Sequence, residues 1–272
     1  MLLGRHRGVC CRTERHRVVT PRASTALADD GWTLPTPSAA ELAAPLTRRL
    51  LELAAVTSRG QVADFSTLVD VEDIVLQLEA TASDEVDVVA RQQALSGSWR
   101  LVYSSVELFR SSPFFWAFQS ATGSEDLAQA VFKFTAGLPV AGSRGPFGEV
   151  RQVLDLQAGR LVSEVDMRLF ESLFGLLPGL NGTVVTEARC RLDDDDATRL
   201  LVTVESTRVT GSNVDPSGAL DGVVTPVEQL FAALRGGQPL TVAARTRYVD
   251  DNIRITRTGE REDQIFVYAR RT

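Results

Sequence analysis

The sequence predicts a mainly β domain in which about eight antiparallel strands close into a barrel, with helices ahead of it. From residue 149 onward most segments alternate apolar and polar residues, and this period of two is typical of strands buried on one face. The connections between these segments are short enough for antiparallel hairpins. We expect so large a sheet to close on itself, because closure removes its exposed edges.

The first predicted strand of the barrel covers residues 97–105. Period-two geometry places Trp99, Leu101 and Tyr103 on one face of it. A Gly-x-Trp sequence at the start of the first strand, here Gly97 to Trp99, is typical of lipocalin-like barrels. In those barrels the tryptophan lies across one end and a late arginine or lysine stacks on it. The simpler interpretation is that these residues only begin a core strand.

The last predicted strand, residues 264–270, supplies the matching cation. It ends at Arg270, which we expect to contact the Trp99 ring through a cation–π interaction. Gly97 has no side chain and therefore allows another chain segment to approach closely. The sequence thus predicts that Gly97, Trp99 and Arg270 together close one end of the barrel.

The segment before the barrel, residues 38–93, is predicted to be helical. Ser38 and Glu41 have the spacing of a capping box and begin a helix over about residues 39–57. Pro45 lies inside it, which predicts a kink or a late start. A second helix is expected over about 66–80 and a short third one up to about residue 93. We expect these helices to pack on the outside of the barrel or to cap one end.

The other elements follow from the same patterns. Helices are predicted from Pro113, over about 125–132 and over about 225–234, where proline or an acidic N-cap suits the first turn. The remaining strands are predicted at 152–156, 161–169, 183–192, 198–207, 240–249 and 252–256. The barrel therefore extends over about residues 95–271, within a single domain of residues 31–272.

The N-terminal segment differs in charge from the rest of the chain. Residues 1–25 contain six arginines and one acid, Glu14, whereas the whole chain has a net charge of −6. A basic segment without a long apolar run is typical of an organelle transit peptide, and the alternative is a disordered basic tail. We predict that residues 1–30 are such a peptide, without fixed structure. The acidic remainder argues against binding to nucleic acid.

Several classes of active site are excluded by residues that the body of the chain lacks. Both histidines and two of the three cysteines lie in the first 16 residues, which leaves Lys133 and Cys190 as the only lysine and cysteine beyond them. Histidine-dependent catalysis, histidine metal sites and an intrachain disulfide are therefore excluded there. We predict a non-catalytic protein with no metal and no cofactor. No apolar run approaches the ~20 residues of a transmembrane helix.

One segment after the first strand is rich in aromatic residues. Phe114, Phe115, Trp116 and Phe118 cannot all point into a core on one strand face, and a helix from Pro113 would spread them around its surface. Two interpretations stay open. The segment is either a plug packed into the barrel mouth or an exposed aromatic patch against lipid or a partner.

The inside of an eight-stranded barrel can hold one small apolar ligand. Parity assigns a set of side chains to this interior, and we regard them as candidate lipid contacts: Trp99, Leu101, Tyr103, Val165, Met167, Val204 and Tyr248. A slip of one residue in register would turn any of them outward. The alternative is a filled core without a cavity.

The sequence resembles the plastid lipid-associated proteins, also called plastid fibrillins. The matching segments occur in the family's order at residues 95–105, 109–118, 148–153, 201–207, 246–257 and 265–270. The resemblance implies a lipocalin-like barrel in a plastid protein of the stroma, the plastoglobule or the thylakoid surface. It also implies binding of an isoprenoid, carotenoid, quinone or acyl lipid, and it brings no catalytic residues.

Three functions are compatible with these observations. The leading hypothesis is a non-catalytic protein that binds or organises apolar lipid in the barrel or on the aromatic patch. The second is a structural coat or scaffold that assists a prenylquinone-synthesis enzyme. The third is an enzyme that uses paired acids, with Glu164 and Asp166 or Glu187 and Glu205 as candidates. We expect these four carboxylates to face outward into solvent.

Overall fold

The computed structural model describes residues 37–82, 87–123, 147–169, 180–211, 224–234, 239–259 and 261–271. Residues Pro37–Thr272 form one compact unit. The predicted transit peptide and the helix predicted at 125–132 lie outside the described residues, so both stay predictions.

Three helices precede the barrel, as the sequence predicts: α1 (Ala39–Val56), α2 (Phe65–Thr81) and α3 (Val88–Leu95). The capping box is present, since the Ser38 amide donates to Glu41 Oε2 at 2.7 Å and the Glu41 amide donates to Ser38 Oγ at 3.3 Å. The helix runs through Pro45, so the alternative of a late start is wrong.

The described residues form nine strands, in chain order: β1 (Gly97–Ser104), β2 (Phe147–Asp155), β3 (Arg160–Leu169), β4 (Leu180–Leu192), β5 (Arg199–Thr210), β6 (Val224–Thr225), β7 (Thr241–Val249), β8 (Ile253–Thr258) and β9 (Gln264–Arg270). All their pairings are antiparallel. The sheet order is β4-β3-β2-β1-β9-β8-β7-β5-β6, and an additional β4–β5 pairing closes it. The result is a closed barrel of eight strands, with β6 as a short addition to β5, and the predicted fold class is confirmed.

Three further helices of the described residues belong to the barrel region. A short 3₁₀ helix (Leu108–Ser111) leads into α4 (Pro113–Thr122), which begins at the predicted proline, and α5 (Val227–Leu234) follows β6. Residues 108–122, which we call the plug, contribute Leu108 and Ala117 to the core inside the barrel.

The barrel wall separates two apolar cores. The inner core is formed by alternate residues of the strands together with the plug, α3 and α5. The outer core lies between the outer face of β1, β7, β8 and β9 and the helices α1 and α2. There Leu50 and Leu78 of the helices share a cluster with Ile253 and Val267 of the strands. The prediction that the N-terminal helices pack outside the barrel is therefore confirmed.

Two of the side chains that parity assigns to the interior belong to the outer core instead. Tyr103 and Tyr248 both pack with α1 and α2. The cause is a register shift in each strand, between Leu101 and Tyr103 on β1 and between Thr246 and Tyr248 on β7. Each bulge inserts one extra residue and turns the following side chain to the opposite face. The assignment of these tyrosines to the interior is wrong.

The buried position of Tyr103 predicts how stability changes at high pH. Burial raises the pKa of Tyr103 to about 12, above the value of about 10 for an unfolded chain. Between these pH values the unfolded chain has lost a proton that the folded protein keeps, so stability falls as the pH rises through this window. We expect Tyr103→Phe to remove roughly 2 kcal/mol of this fall, as measured by urea unfolding at pH 7 and pH 11.5.

The measurement at pH 7 is the control for any effect of Tyr103→Phe that does not depend on ionisation. The Tyr103 hydroxyl has no hydrogen-bond partner among the described residues, so its removal leaves the free energy of unfolding nearly unchanged. An equally steep alkaline loss of stability in Tyr103→Phe would contradict the prediction.

Candidate functional site

One end of the barrel is closed by a tryptophan and an arginine. Trp99 is fully buried, and its Nε1 donates to the carbonyl oxygen of Leu95 in α3 at 2.9 Å. The guanidinium carbon of Arg270 lies 4.2 Å from the centroid of the Trp99 ring. Arg270 also donates to the carbonyl oxygens of Ala94 in α3 and of Ser96, which joins α3 to β1. The last strand is thereby fastened to the start of the first.

Gly97 is required by this closure. Its φ is +136°, an angle that residues with a side chain rarely adopt. A Cβ atom built on Gly97 would lie 2.6 Å from Nη1 of Arg270. The glycine therefore leaves the space in which Arg270 reaches α3.

A layer of polar side chains lies inside the barrel next to Trp99. Backbone register pairs Trp99 with Gln152, Gln152 with Ser163, and Arg254 with Tyr268, so these side chains share the inner face. The guanidinium carbon of Arg254 lies 4.2 Å from the Tyr268 ring centroid and 5.2 Å from that of Trp99. All five residues are at most 2% exposed. We call Gln152, Ser163, Arg254 and Tyr268 the polar layer.

Hydrogen bonds connect the polar layer to the plug. Arg254 Nη2 donates to Gln152 Oε1, and Gln152 Nε2 donates to the carbonyl oxygen of Ser111 in the plug at 3.2 Å. Gln152 therefore links the buried cation to the segment that fills the barrel above it.

Three polar atoms of this layer have no hydrogen-bond partner among the described residues: Arg254 Nε, Tyr268 Oη and Ser163 Oγ. Burial lowers the pKa of Arg254 to about 10, so the side chain still carries its charge at neutral pH. Burial also raises the pKa of Tyr268 to about 12, which keeps its proton in place. The layer thus presents a buried positive charge and two hydroxyl donors.

The candidate lipid contacts from the sequence are divided by the structure. Trp99, Leu101, Val165 and Val204 belong to the inner core. The side chain of Met167 lies outside what the structure describes, and Tyr103 and Tyr248 lie in the outer core. The four inner residues remain candidate lipid contacts.

The side chains of the aromatic segment are buried or half-buried. Phe115 is fully buried, and Trp116 is 9% exposed with its Nε1 donating to the carbonyl oxygen of Arg110 at 2.6 Å. Phe114 and Phe118 are half-buried and pack against Phe231 of α5, with ring centroids 6.2 and 6.4 Å from its own. The interpretation as an exposed patch is therefore wrong, because two adjacent helices shield its rings.

A cleft opens beside the plug. It has a volume of about 840 Å³ and is lined by Trp116 and Gln119 of the plug and by the ends of β7, β8 and β9 near Val242, Thr258 and Gln264. This end of the barrel is opposite to the end that Trp99 and Arg270 close.

An apolar surface that sequence reasoning missed lies at the same end as the plug. Val56, Val62 and Phe65, which we call the apolar tip, are 76%, 69% and 82% exposed along the connection from α1 to α2. In this connection the carbonyl oxygen of Arg59 accepts a hydrogen bond from the amide of Ser104, which lies just ahead of the plug in the chain. The only sequence signal was three large apolar residues beside a helix break.

The carboxylates considered for catalysis lie on the outer face. Glu164 and Asp166 accept hydrogen bonds from Arg151 at 2.9 and 3.2 Å. Glu187 accepts one from Arg208 at 2.7 Å, and Arg208 and Arg160 hold the pKa of Glu187 below its usual value, although burial acts to raise it.

The fourth carboxylate, Glu205, lies 3.3 Å from Arg189. None of the four belongs to the inner core, so they form surface ion pairs rather than a buried acid pair. Among the described residues there is also no group of three or more side chains that could hold a metal ion.

A comparison with protein families finds a match over residues 44–122 to the family model PAP_fibrillin. This match supports the plastid fibrillin family. It runs from α1 to the end of α4 and confirms the resemblance inferred from the sequence. The fibrillin match and the barrel together fit a plastid lipid-associated protein, and fibrillins are generally structural, non-catalytic proteins of plastids.

No curated protein and no solved structure matches this fibrillin-like chain significantly. In the part of the chain that the structure describes, no helix has both the length and the apolar character needed to cross a membrane.

Proposed function

We propose that this chain is a non-catalytic lipid-binding protein of the plastid, which takes up an apolar isoprenoid or acyl lipid at the surface of plastoglobules or thylakoids. One observation carries the proposal. The barrel is closed at one end by its own strands and α3, whereas the interior toward the other end is filled by the plug, which is not part of the wall. A lipid that displaces the plug would enter a cavity closed at its far end.

The apolar wall limits the free-energy cost of exchanging the plug for a lipid. Leu101, Val165 and Val204 share the inner core with Leu108 and Ala117 of the plug. A lipid chain in place of the plug covers the same apolar wall, and each methylene that it buries contributes ~0.8 kcal/mol. The cleft beside the plug gives the lipid a point of entry. The protein needs no catalytic group for this function.

The test uses Trp116 as a reporter of the plug. We expect phytol, an isoprenoid alcohol, or methyl oleate, delivered from cyclodextrin to the full chain, to shift tryptophan emission to longer wavelength as Trp116 leaves its buried site. The shift saturates near one lipid per chain and is absent in Trp116→Phe, which removes the reporter. Mass spectrometry of the purified protein should also detect co-extracted lipid.

Two results together would reject this function. The first is tryptophan emission in the wild-type chain that does not respond to either lipid, and the second is purified protein that carries no lipid. A shift of equal size in Trp116→Phe would reject displacement of the plug while leaving lipid binding in place.

The alternative is a structural coat or scaffold that assists a prenylquinone-synthesis enzyme at the same surfaces. The exposed apolar tip favours this function, because adsorption to a lipid surface needs apolar side chains outside the fold. The tip replaces the aromatic segment as the surface through which a coat would adsorb.

A further inference from the structure

Arg254 is a buried cation without a matching anion. It is 2% exposed, and no carboxylate of the described parts of the chain is among the groups that act on its charge. The groups that act on its charge are Tyr268, Cys190 and a second cation, Arg270. A charged side chain buried in this way is strongly unfavourable unless something compensates it.

The contacts that Arg254 does make are incomplete. The rings of Tyr268 and Trp99 lie against its guanidinium group, and Gln152 accepts one hydrogen bond. A guanidinium group has five N–H donors in a planar fork that suits a carboxylate. Its Nε points to no acceptor among the described residues.

The two other unpartnered atoms of the polar layer also need a hydrogen-bond acceptor. Tyr268 Oη and Ser163 Oγ can each donate a hydrogen bond, and neither does so within the described residues. The missing group is therefore one that accepts several hydrogen bonds and carries about one negative charge. An ionised carboxylate accepts through both oxygens and carries a single charge, whereas a phosphate monoester would bring more negative charge than one arginine balances.

We propose that Arg254, with Tyr268 and Ser163, binds the carboxylate of a fatty acid whose hydrocarbon chain lies along the apolar wall of the barrel. This inference rests on the proposed function, because it assigns the head group of the lipid that enters there. Gln152 connects the two events, since it bonds both Arg254 and the plug. A carboxylate on Arg254 competes with Gln152 and so loosens the plug from the polar layer.

The test compares two lipids that differ only in the head group. cis-Parinaric acid and its methyl ester have the same fluorescent chain, and their emission rises in an apolar site. We expect the full wild-type chain to bind the acid about 10- to 100-fold more tightly than the ester, as for a hydrogen-bonded charge pair. In Arg254→Met this preference disappears through weaker binding of the acid, while binding of the ester is retained.

Two further variants serve as controls. Arg254→Lys keeps the charge without the planar fork, so it should retain part of the preference for the acid. Arg100→Met removes an exposed arginine from the outer face of β1, beside Trp99 in sequence, and should leave the preference unchanged. Circular dichroism and thermal unfolding check that Arg254→Met is folded.

The outcomes separate this inference from the proposed function. Equal binding of acid and ester by the wild-type chain overturns the carboxylate site and leaves lipid binding standing. Failure of both lipids to bind overturns the proposed function itself. A full preference for the acid in folded Arg254→Met also overturns the inference, because another group would then hold the carboxylate.

Discussion

Arg257→Leu is expected to lower the free energy of unfolding by about 3 to 5 kcal/mol, the usual effect of breaking a buried ion pair by removing one partner. Arg257 on β8 is 7% exposed, and its Nε donates to Glu79 Oε1 in α2 at 2.7 Å. The Glu79 side chain is 9% exposed, so it stays buried without its cation after the substitution. Urea unfolding at pH 7 measures the loss.

The geometry explains why the effect should exceed that of the surface pairs. Arg257 also donates through Nη2 to Glu72 at 2.9 Å, so one arginine holds two turns of α2 against the barrel. Exposed pairs such as Arg49 with Glu52, both 57% exposed, contribute at most about 1 kcal/mol.

The matched control is the double variant Arg257→Leu with Glu79→Leu. It removes the buried carboxylate together with the cation, so we expect it to recover most of the stability lost in the single variant. A loss below about 1 kcal/mol in Arg257→Leu would mean that water reaches the pair and that α2 is held by its apolar contacts alone.

The parts of the fold that sequence reasoning predicted correctly depend on local rules. Ser38 and Glu41 satisfy each other at a fixed spacing, so the start of α1 could be read from four residues. The strands could be located because alternation repeats within each of them. The contact of Arg270 with Trp99 could be expected because β1 and β9 are the first and last strands of a closed sheet.

The assignment of side chains to the two faces by alternation failed where a bulge shifts the register of the strand. A bulge has no fixed sequence signature, so nothing around Val102 or Arg247 shows that Tyr103 and Tyr248 turn outward. The consequence for function is direct, since both had been counted among the candidate lipid contacts.

Arg254 was missed for a different reason. On β8 the apolar residues Ile253 and Ile255 alternate with polar ones, and the ordinary interpretation places the isoleucines inside. In the structure α1 and α2 cover the outer face, so the isoleucines pack outward under the helices and Arg254 points into the barrel. Only knowledge of what covers each face could reverse this assignment.

The double variant Val62→Ser with Phe65→Ser is expected to reduce binding to lipid vesicles by about 100-fold or more. Transfer of one large apolar side chain from water into the lipid contributes about 1.5 to 3 kcal/mol of favourable free energy. Two of them therefore account for a factor of about 100 or more in the partition constant. Both lie in the apolar tip and are 69% and 82% exposed, so their replacement should not affect folding. Flotation of the full chain with digalactosyldiacylglycerol vesicles measures the binding.

A matched control lies toward the closed end of the barrel. Val89 on α3 and Val153 on β2 are 61% and 46% exposed, and Val153 pairs with Ser98 beside the closure. The double variant Val89→Ser with Val153→Ser removes comparable exposed apolar side chains, and we expect it to float as the wild-type chain does. If both double variants lose binding equally, adsorption has no preferred face. If neither loses it, the apolar tip is not the lipid-facing surface, and uptake through the plug would have to occur without it.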